Sequence, residues 1–191
     1  MMALPEVLPL AQSMVKNVVN PGDLVVDATM GNGHDTLFLA NLVGPTGLVL
    51  AYDIQPEALN TTRQRLLEAR CEAQVRLLLK GHQSVVEELQ PLKQPVSAAM
   101  FNLGYRPGGD KKVVTRPDTT LAAIEGLAHY LKPGGVITLV VYSGHPGGEE
   151  EAVTLVQTLS GWSHKQYNIA RYGWLNRPNH PPYLVVIEKR V

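Results

Sequence analysis

Residues 25–36, Val-Val-Asp-Ala-Thr-Met-Gly-Asn-Gly-His-Asp-Thr, decide how this chain is read. Leu24, Val25 and Val26 form a short apolar run of the kind that makes a buried strand, and the run stops at an acid, Asp27. A turn with Gly31 and Gly33 follows, and an apolar helical pattern (Leu37, Phe38, Leu39, Leu42) begins at once. Strand, glycine turn and helix start together make a nucleotide site. The glycines let backbone approach a ligand, and the helix start offers free N–H groups and a positive dipole end to an anion. The next apolar run, Leu48 to Tyr52, ends in Asp53, 20 residues after Gly33, where a carboxylate can accept hydrogen bonds from both ribose hydroxyls.

Working outward, strand and helix patterns alternate. A leading helix is expected over Leu8–Val19, closed by Asn20-Pro21-Gly22. Strand one covers 24–28, a helix 34–43, strand two 48–53, and Pro56 opens a helix to about Arg70. Strand three is expected at 74–79 and a short helix near 83–89, with Pro91 and Pro95 bracketing a loop. Strand four covers 96–102, a helix 117–131 opens with Pro117 and Asp118, and Lys132-Pro133-Gly134-Gly135 stops it before strand five at 136–142. A helix over about 148–159 follows. Trp162–Ala170 and Tyr183–Glu188 then read as strands with no room for a crossover helix between them, so the last pair is antiparallel. The pattern is α/β, a seven-stranded, mostly parallel sheet finished by an antiparallel pair; its likeness to the class I methyltransferase fold implies the order 3-2-1-4-5-7-6 with helices on both faces. That is the Rossmann-like architecture of class I S-adenosylmethionine methyltransferases rather than of a plain dinucleotide dehydrogenase.

The 191 residues suit a single domain, 1–191, with a real core. Seventeen basic and seventeen acidic residues cancel, which excludes a broad non-specific nucleic-acid surface while leaving room for a local basic rim. Cys71 is the only cysteine, so no internal disulfide and no cysteine-based metal site is expected, and no metal is assigned. No secretory leader pattern or 18-residue apolar run is present, which makes a cytoplasmic location the default, with no membrane association.

The first turn follows the methyltransferase pattern Asp-x-x-x-Gly-x-Gly with Asp27, Gly31 and Gly33, and Thr36 stands where a dehydrogenase fingerprint has a third glycine or alanine. S-adenosyl-L-methionine ends in an ammonium and a carboxylate. Asp27 can draw the ammonium, directly or through water, while backbone from Gly31 through Asn32 to Gly33 meets the carboxylate, with His34, Asp35 and Thr36 opening the helix beside it. Asp53 would hold the ribose with Gln55 just beyond, and Gly81-His82-Gln83-Ser84 occupies the place near the adenine. Plainer readings exist for each: chain reversal for the glycines, a helix cap for Asp53, a surface loop for His82, a first-turn acid for Asp35.

Strand four runs into Asn102-Leu103-Gly104-Tyr105, a relaxed version of the Asn/Asp-Pro-Pro-Tyr/Phe found where methyltransferases present an amine. The Asn102 side-chain oxygen and a nearby backbone carbonyl can accept the N–H bonds of a nitrogen nucleophile and aim its lone pair, and Tyr105 can stack on a base or face a cation. Both prolines are missing, which argues against a planar exocyclic base amine. His34, Asp35 and His145 are the nearest candidate proton acceptors, although a structural role suits each histidine better. Arg106, Lys111, Lys112 and Arg116 place four positive charges in eleven positions, a loop able to grip phosphate beside a flipped base. Tyr142-Ser-Gly-His145 ends strand five on the same side, and the loop Arg171–Pro182, with Trp174, Arg177 and His180, mixes aromatic and basic groups as RNA-binding loops do.

Taken together, residues 27–36, Tyr-Asp-Ile-Gln (52–55), Gly-His-Gln (81–83), Phe-Asn-Leu-Gly-Tyr-Arg-Pro-Gly-Gly-Asp-Lys (101–111), Tyr-Ser-Gly-His-Pro-Gly-Gly (142–148) and Asn-Arg-Pro-Asn-His-Pro-Pro (176–182) resemble the YtqB family, long labelled rRNA methylases and also known as MnmM. The resemblance spans nearly the whole chain. It implies S-adenosylmethionine-dependent N-methylation of 5-aminomethyl(-2-thio)uridine at the tRNA wobble position, with the anticodon stem-loop as substrate. It also implies a homodimer. An rRNA or small-molecule methyltransferase, a nicotinamide-dependent oxidoreductase and a non-catalytic RNA-binding protein are the competing expectations. Thr36 and the terminal hairpin speak against the oxidoreductase, zero net charge and the cofactor motif against the RNA-binding module.

Overall fold

The computed structural model describes residues 3–104, 108, 114–144 and 147–191. Thirteen elements follow one another: α1 (Val7–Lys16), β1 (Leu24–Asp27), α2 (His34–Val43), β2 (Leu48–Asp53), α3 (Pro56–Ala69), β3 (Val75–Leu79), α4 (Val85–Leu92), β4 (Val96–Leu103), α5 (Pro117–Tyr130), β5 (Leu131–Val141), α6 (Gly148–Ser160), β6 (Tyr167–Tyr172) and β7 (Tyr183–Lys189). The strands form one sheet in the order β3-β2-β1-β4-β5-β7-β6, as the likeness to class I methyltransferases implies. β1 to β5 pair in parallel, and β7 is antiparallel to both β5 and β6.

Period-two alternation along buried strands sorts the core into two faces. Leu24 and Val26 of β1, Phe101 and Leu103 of β4, and Ile137 and Leu139 of β5 pack with Leu89 of α4, Ile124 and Leu127 of α5, and Leu155 of α6. Val25, Val49, Ala98 and Met100 face the other way, onto Val15 of α1, Leu39 and Val43 of α2, and Leu66 of α3. β1 lies between β2 and β4, so successive crossovers leave it in opposite directions. The carboxyl ends of β1, β2 and β4 therefore border the crevice where ligands bind in open parallel sheets.

Several boundaries differ from the sequence reading. α1 ends at Lys16 rather than Val19: the Val18 and Val19 N–H groups both donate to the Val15 carbonyl (3.1 Å each), a tightened turn that closes the helix. Pro91 lies inside the last turn of α4 instead of in a loop, at an end where little of the ladder remains to be broken. Lys132-Pro133-Gly134-Gly135 does not merely stop α5. β5 already starts at Leu131, which pairs with Val96, and the next pairing is Val136 with Ala98. The segment bulges out of the ladder. Gly134 takes φ +75°, and a Cβ at Gly135 would stand 2.9 Å from the Lys132 carbonyl oxygen and 3.0 Å from that of Ser97. β6 begins at Tyr167, not at Trp162, because Gln166 and Tyr167 both donate to the Ser163 carbonyl and close a turn, with the Trp162 ring against Tyr167.

Candidate active site

A cavity of about 1060 Å³ opens over the carboxyl ends of β1, β2 and β4. Its floor is the glycine turn. Gly31 and Gly33 take φ +50° and +78°, conformations that L side chains rarely adopt. At Gly33 space is closed as well: a Cβ there would meet Thr62 Oγ1 of α3 at 2.7 Å. Arg65, one turn further along α3, donates from Nε to the Asn32 carbonyl (2.8 Å) and lies 3.3 Å from His34 Nε2. Arginine can only donate, so that ring nitrogen is the acceptor. Asp53 accepts from the Gly31 N–H (3.0 Å) and the Gln55 N–H (2.9 Å), one to each carboxylate oxygen. These bonds fix its plane against the turn and leave further lone pairs for hydroxyl donors.

Asp27 is fully buried under this turn. Its Oδ2 accepts from the Thr36 hydroxyl at 2.6 Å and its Oδ1 from the Thr29 N–H at 3.2 Å. Burial, with the charges of Asp35 and Asp53 added, pushes its carboxyl up to about 7 against the pull of those two hydrogen bonds. Asp35 opens α2 and accepts from two amides, Gln12 Nε2 of α1 at 2.8 Å and Asn102 Nδ2 of β4 at 2.6 Å. The Asn102 backbone N–H donates to Thr29 Oγ1 at 2.7 Å. The Asn102 amide nitrogen is committed to Asp35.

At the far end, His82 is buried with Nδ1 2.9 Å from the Ala28 carbonyl, which makes Nδ1 the protonated nitrogen. Burial lowers its pKa, so the ring is neutral at pH 7. His82 Nε2 and Tyr52 Oη, both on residues of the cavity wall, have no hydrogen-bond partner among the described residues. Such groups cost roughly 1–3 kcal/mol each unless a ligand or water meets them. Burial, then the Asp35 charge, raises the Tyr142 phenol, which stays protonated.

Of the residues singled out in the sequence, Gly31, Asn32, His34, Asp35, Asp53, Gln55, His82, Gln83, Asn102, Gly104 and Tyr142 line this one cavity. Asp27, Gly33, Thr36 and Leu103 lie behind its wall and act on it through neighbours. Arg177 is outside it: its guanidinium pairs with Glu6 (2.7 Å) and stacks over Trp174 (3.8 Å). Tyr105, Arg106, Lys111, Lys112 and His145 lie outside the described residues. Sequence reasoning missed Gln12, Thr29 and Arg65. Thr29 sat inside the quoted motif, and Arg65 shares a helix face with Thr62 at a spacing of three. Nothing in the sequence marks Gln12.

Among the described residues no cluster of three or more metal-ligating side chains forms. Asp35 and Asp53 line the cavity with Asp27 buried behind them, and neither Asp35 nor Asp53 is ion-paired to a described basic side chain. That end favours a cationic ligand and opposes a pyrophosphate. A ribose-bearing ligand with a positive amino-acid end fits it, and S-adenosyl-L-methionine has that form.

Comparison with known proteins agrees. Residues 49–188 match the family model described as "Putative rRNA methylase". An Arabidopsis thaliana protein named tRNA (mnm(5)s(2)U34)-methyltransferase, chloroplastic, is 40% identical over 189 residues, 95% of this chain and 68% of its own length. A crystal structure from Clostridium thermocellum under the same rRNA-methylase description superposes with a TM-score of 0.95 at 40% identity, covering 98% of this chain and 100% of that one. A Streptococcus mutans structure in complex with SAH gives 0.88 at 35% identity, covering 97% and 99%. The chain belongs to this rRNA-methylase family and is a class I methyltransferase whose cofactor is S-adenosyl-L-methionine.

Proposed function

We propose that the protein methylates the aminomethyl nitrogen of 5-aminomethyl(-2-thio)uridine at the wobble position of tRNA. One observation carries the amine reading: Asn102, held by Asp35 at the end of β4, lines the cavity with its amide nitrogen already committed. Its Oδ1, with no hydrogen-bond partner among the described residues, can accept an N–H from the methyl acceptor and aim the nitrogen lone pair. The wobble position is supported by the name of the Arabidopsis relative. The nucleophile sits on a CH₂ arm, so the planar clamp of the proline-containing motif is not required.

In this reading Asp53 takes the ribose hydroxyls, His82 and Gln83 border the adenine, and the Gly31–Gly33 turn with Asp27 beneath it holds the amino-acid end. When bound, the cofactor supplies an electrophilic methyl group on a sulfonium centre. The chain's own contribution is positioning and exclusion of water. Keeping an alkyl amine neutral at pH 7 costs about 4 kcal/mol, a cost that desolvation reduces. His34 has Nε2 engaged by Arg65, and each Asp35 oxygen already holds an amide, Gln12 on one and Asn102 on the other. The Tyr142 phenol, raised by burial, is a donor.

The test is incubation with tRNA carrying the 5-aminomethyl group, then nucleoside mass spectrometry for a gain of one methyl on that nucleoside. A gain elsewhere in the tRNA, or none, sinks the reading. rRNA, favoured by the family description, belongs in the same assay.

A further inference from the structure

A second cavity of about 440 Å³ adjoins the first. His180 lines both, and the chain end of β5 is divided between them: Tyr142 and Gly144 face the larger, Ser143 the smaller. Both volumes fall in the roughly 300–1,000 Å³ range of ligand sites, or at its upper edge. We infer that this smaller groove, walled by Ser143, Arg171, Gly173, Trp174, His180 and Tyr183, takes the nucleotide next to the methyl acceptor, with the Arg171 guanidinium on its phosphate. This rests on the RNA reading above.

The cations around the cleft are not equivalent. Arg116 pairs with Asp118 at 2.9 Å, Arg177 with Glu6 at 2.7 Å and Lys80 with Glu88 at 2.8 Å. Arg171 has no carboxylate within ion-pair distance among the described residues. Its guanidinium carbon lies over the Tyr183 ring instead, 3.8 Å from the centroid. A stacked guanidinium is held in orientation by the ring and keeps its N–H edge for an acceptor, the geometry that suits a phosphate. Tyr183 is buried and paired in β7, so the platform is rigid.

The opposite wall is equally fixed. Trp174 carries the Arg177 guanidinium over its ring and donates its indole N–H to Glu6 at 3.3 Å. Leu175, next to it, is fully exposed, an apolar lip beside a charged groove. Asn179 and His180 both take left-handed φ, +61° and +48°, which is costly for two successive non-glycine residues. That strain puts an imidazole on the seam between the two cavities. Cation, aromatic walls and apolar lip together match a nucleotide better than a small carboxylate.

Steady-state methyl transfer to 5-aminomethyl tRNA tests this with Arg171→Met, which keeps a long stem over Tyr183, and with Arg171→Lys. For Arg171→Met the KM for tRNA should rise about tenfold while kcat changes less than twofold, and the slope of log(kcat/KM) against log[salt] should fall by about 1. Arg171→Lys should restore the slope. Thermal melting and cofactor affinity report whether each variant is folded. If the unaltered protein methylates tRNA and Arg171→Met shows the same KM and slope, the inference is overturned. If the unaltered protein methylates no tRNA, the RNA reading falls and takes this subsite with it.

Discussion

A carboxylate that no water reaches is expensive to keep charged, and Asp27, pushed up to about 7, is half protonated in neutral solution before any ligand arrives. A ligand ammonium above the turn favours the ionised form, so binding must expel the proton. Cofactor affinity should therefore rise about eightfold from pH 6 to 7.5, before the ligand's own amino group begins to titrate near 8. Calorimetry at several pH values reads this, and Asp27→Asn should flatten the profile. A steep profile surviving that substitution would place the titrating group elsewhere. Asp35 acts differently, as a holder of Asn102. Removing its carboxylate frees the amide to rotate, and misplacement of this size costs up to about 100-fold in rate. Asp35→Ala and Asn102→Ala should each lower kcat, at saturating cofactor, by tenfold or more with little change in the KM for tRNA. The double variant should be no worse than either single one, because both act through one side-chain oxygen. Additive losses would show two separate roles.

At the scale of elements, the glycine turn is held from α3 as much as from its own strand and helix. Gly33→Ala must accommodate both a left-handed φ and a Cβ 2.7 Å from Thr62 Oγ1, and should cost about 2 kcal/mol in chemical denaturation. Adding Thr62→Ala should return only the steric part, leaving roughly 1 kcal/mol lost. Full recovery would mean that the backbone conformation carries no strain. This turn also shows what could be read in advance. Apolar runs ending in Asp27 and Asp53, and the lack of crossover length between 170 and 183, were enough for the α/β class and the antiparallel last pair, because those signals are local or follow from chain length; the strand order came from the likeness to class I methyltransferases. Gln12 on Asp35 spans 23 residues and Arg65 on Asn32 spans 33, and neither leaves a periodic trace. The β5 bulge was hidden for another reason. Lys-Pro-Gly-Gly is a sound stop signal for a helix, and only the pairing of Leu131 with Val96 ahead of it shows that it lies within a ladder. Arg177 stood in a loop rich in nucleic-acid chemistry, but its pairing with Glu6 crosses 171 positions.

For the molecule as a whole, the cleft is assembled from nearly the full length of the chain, from Leu8 to His180. The sheet order adds a stricter condition. β7 is the final strand in sequence, yet it sits inside the sheet between β5 and β6. β6 therefore has nothing to pair with until Tyr183–Lys189 exist. While the polypeptide is still emerging from the ribosome, the hydrogen-bonding edge of β5 stays bare, presenting Leu139 and Val141 to any neighbouring strand. Chains halted just short of residue 183 should accumulate as aggregates, seen as loss from the supernatant on expression. Soluble, cofactor-binding truncations would contradict that order of events. A stop codon just ahead of the β7 codons is thus expected to be as damaging as one ahead of β1.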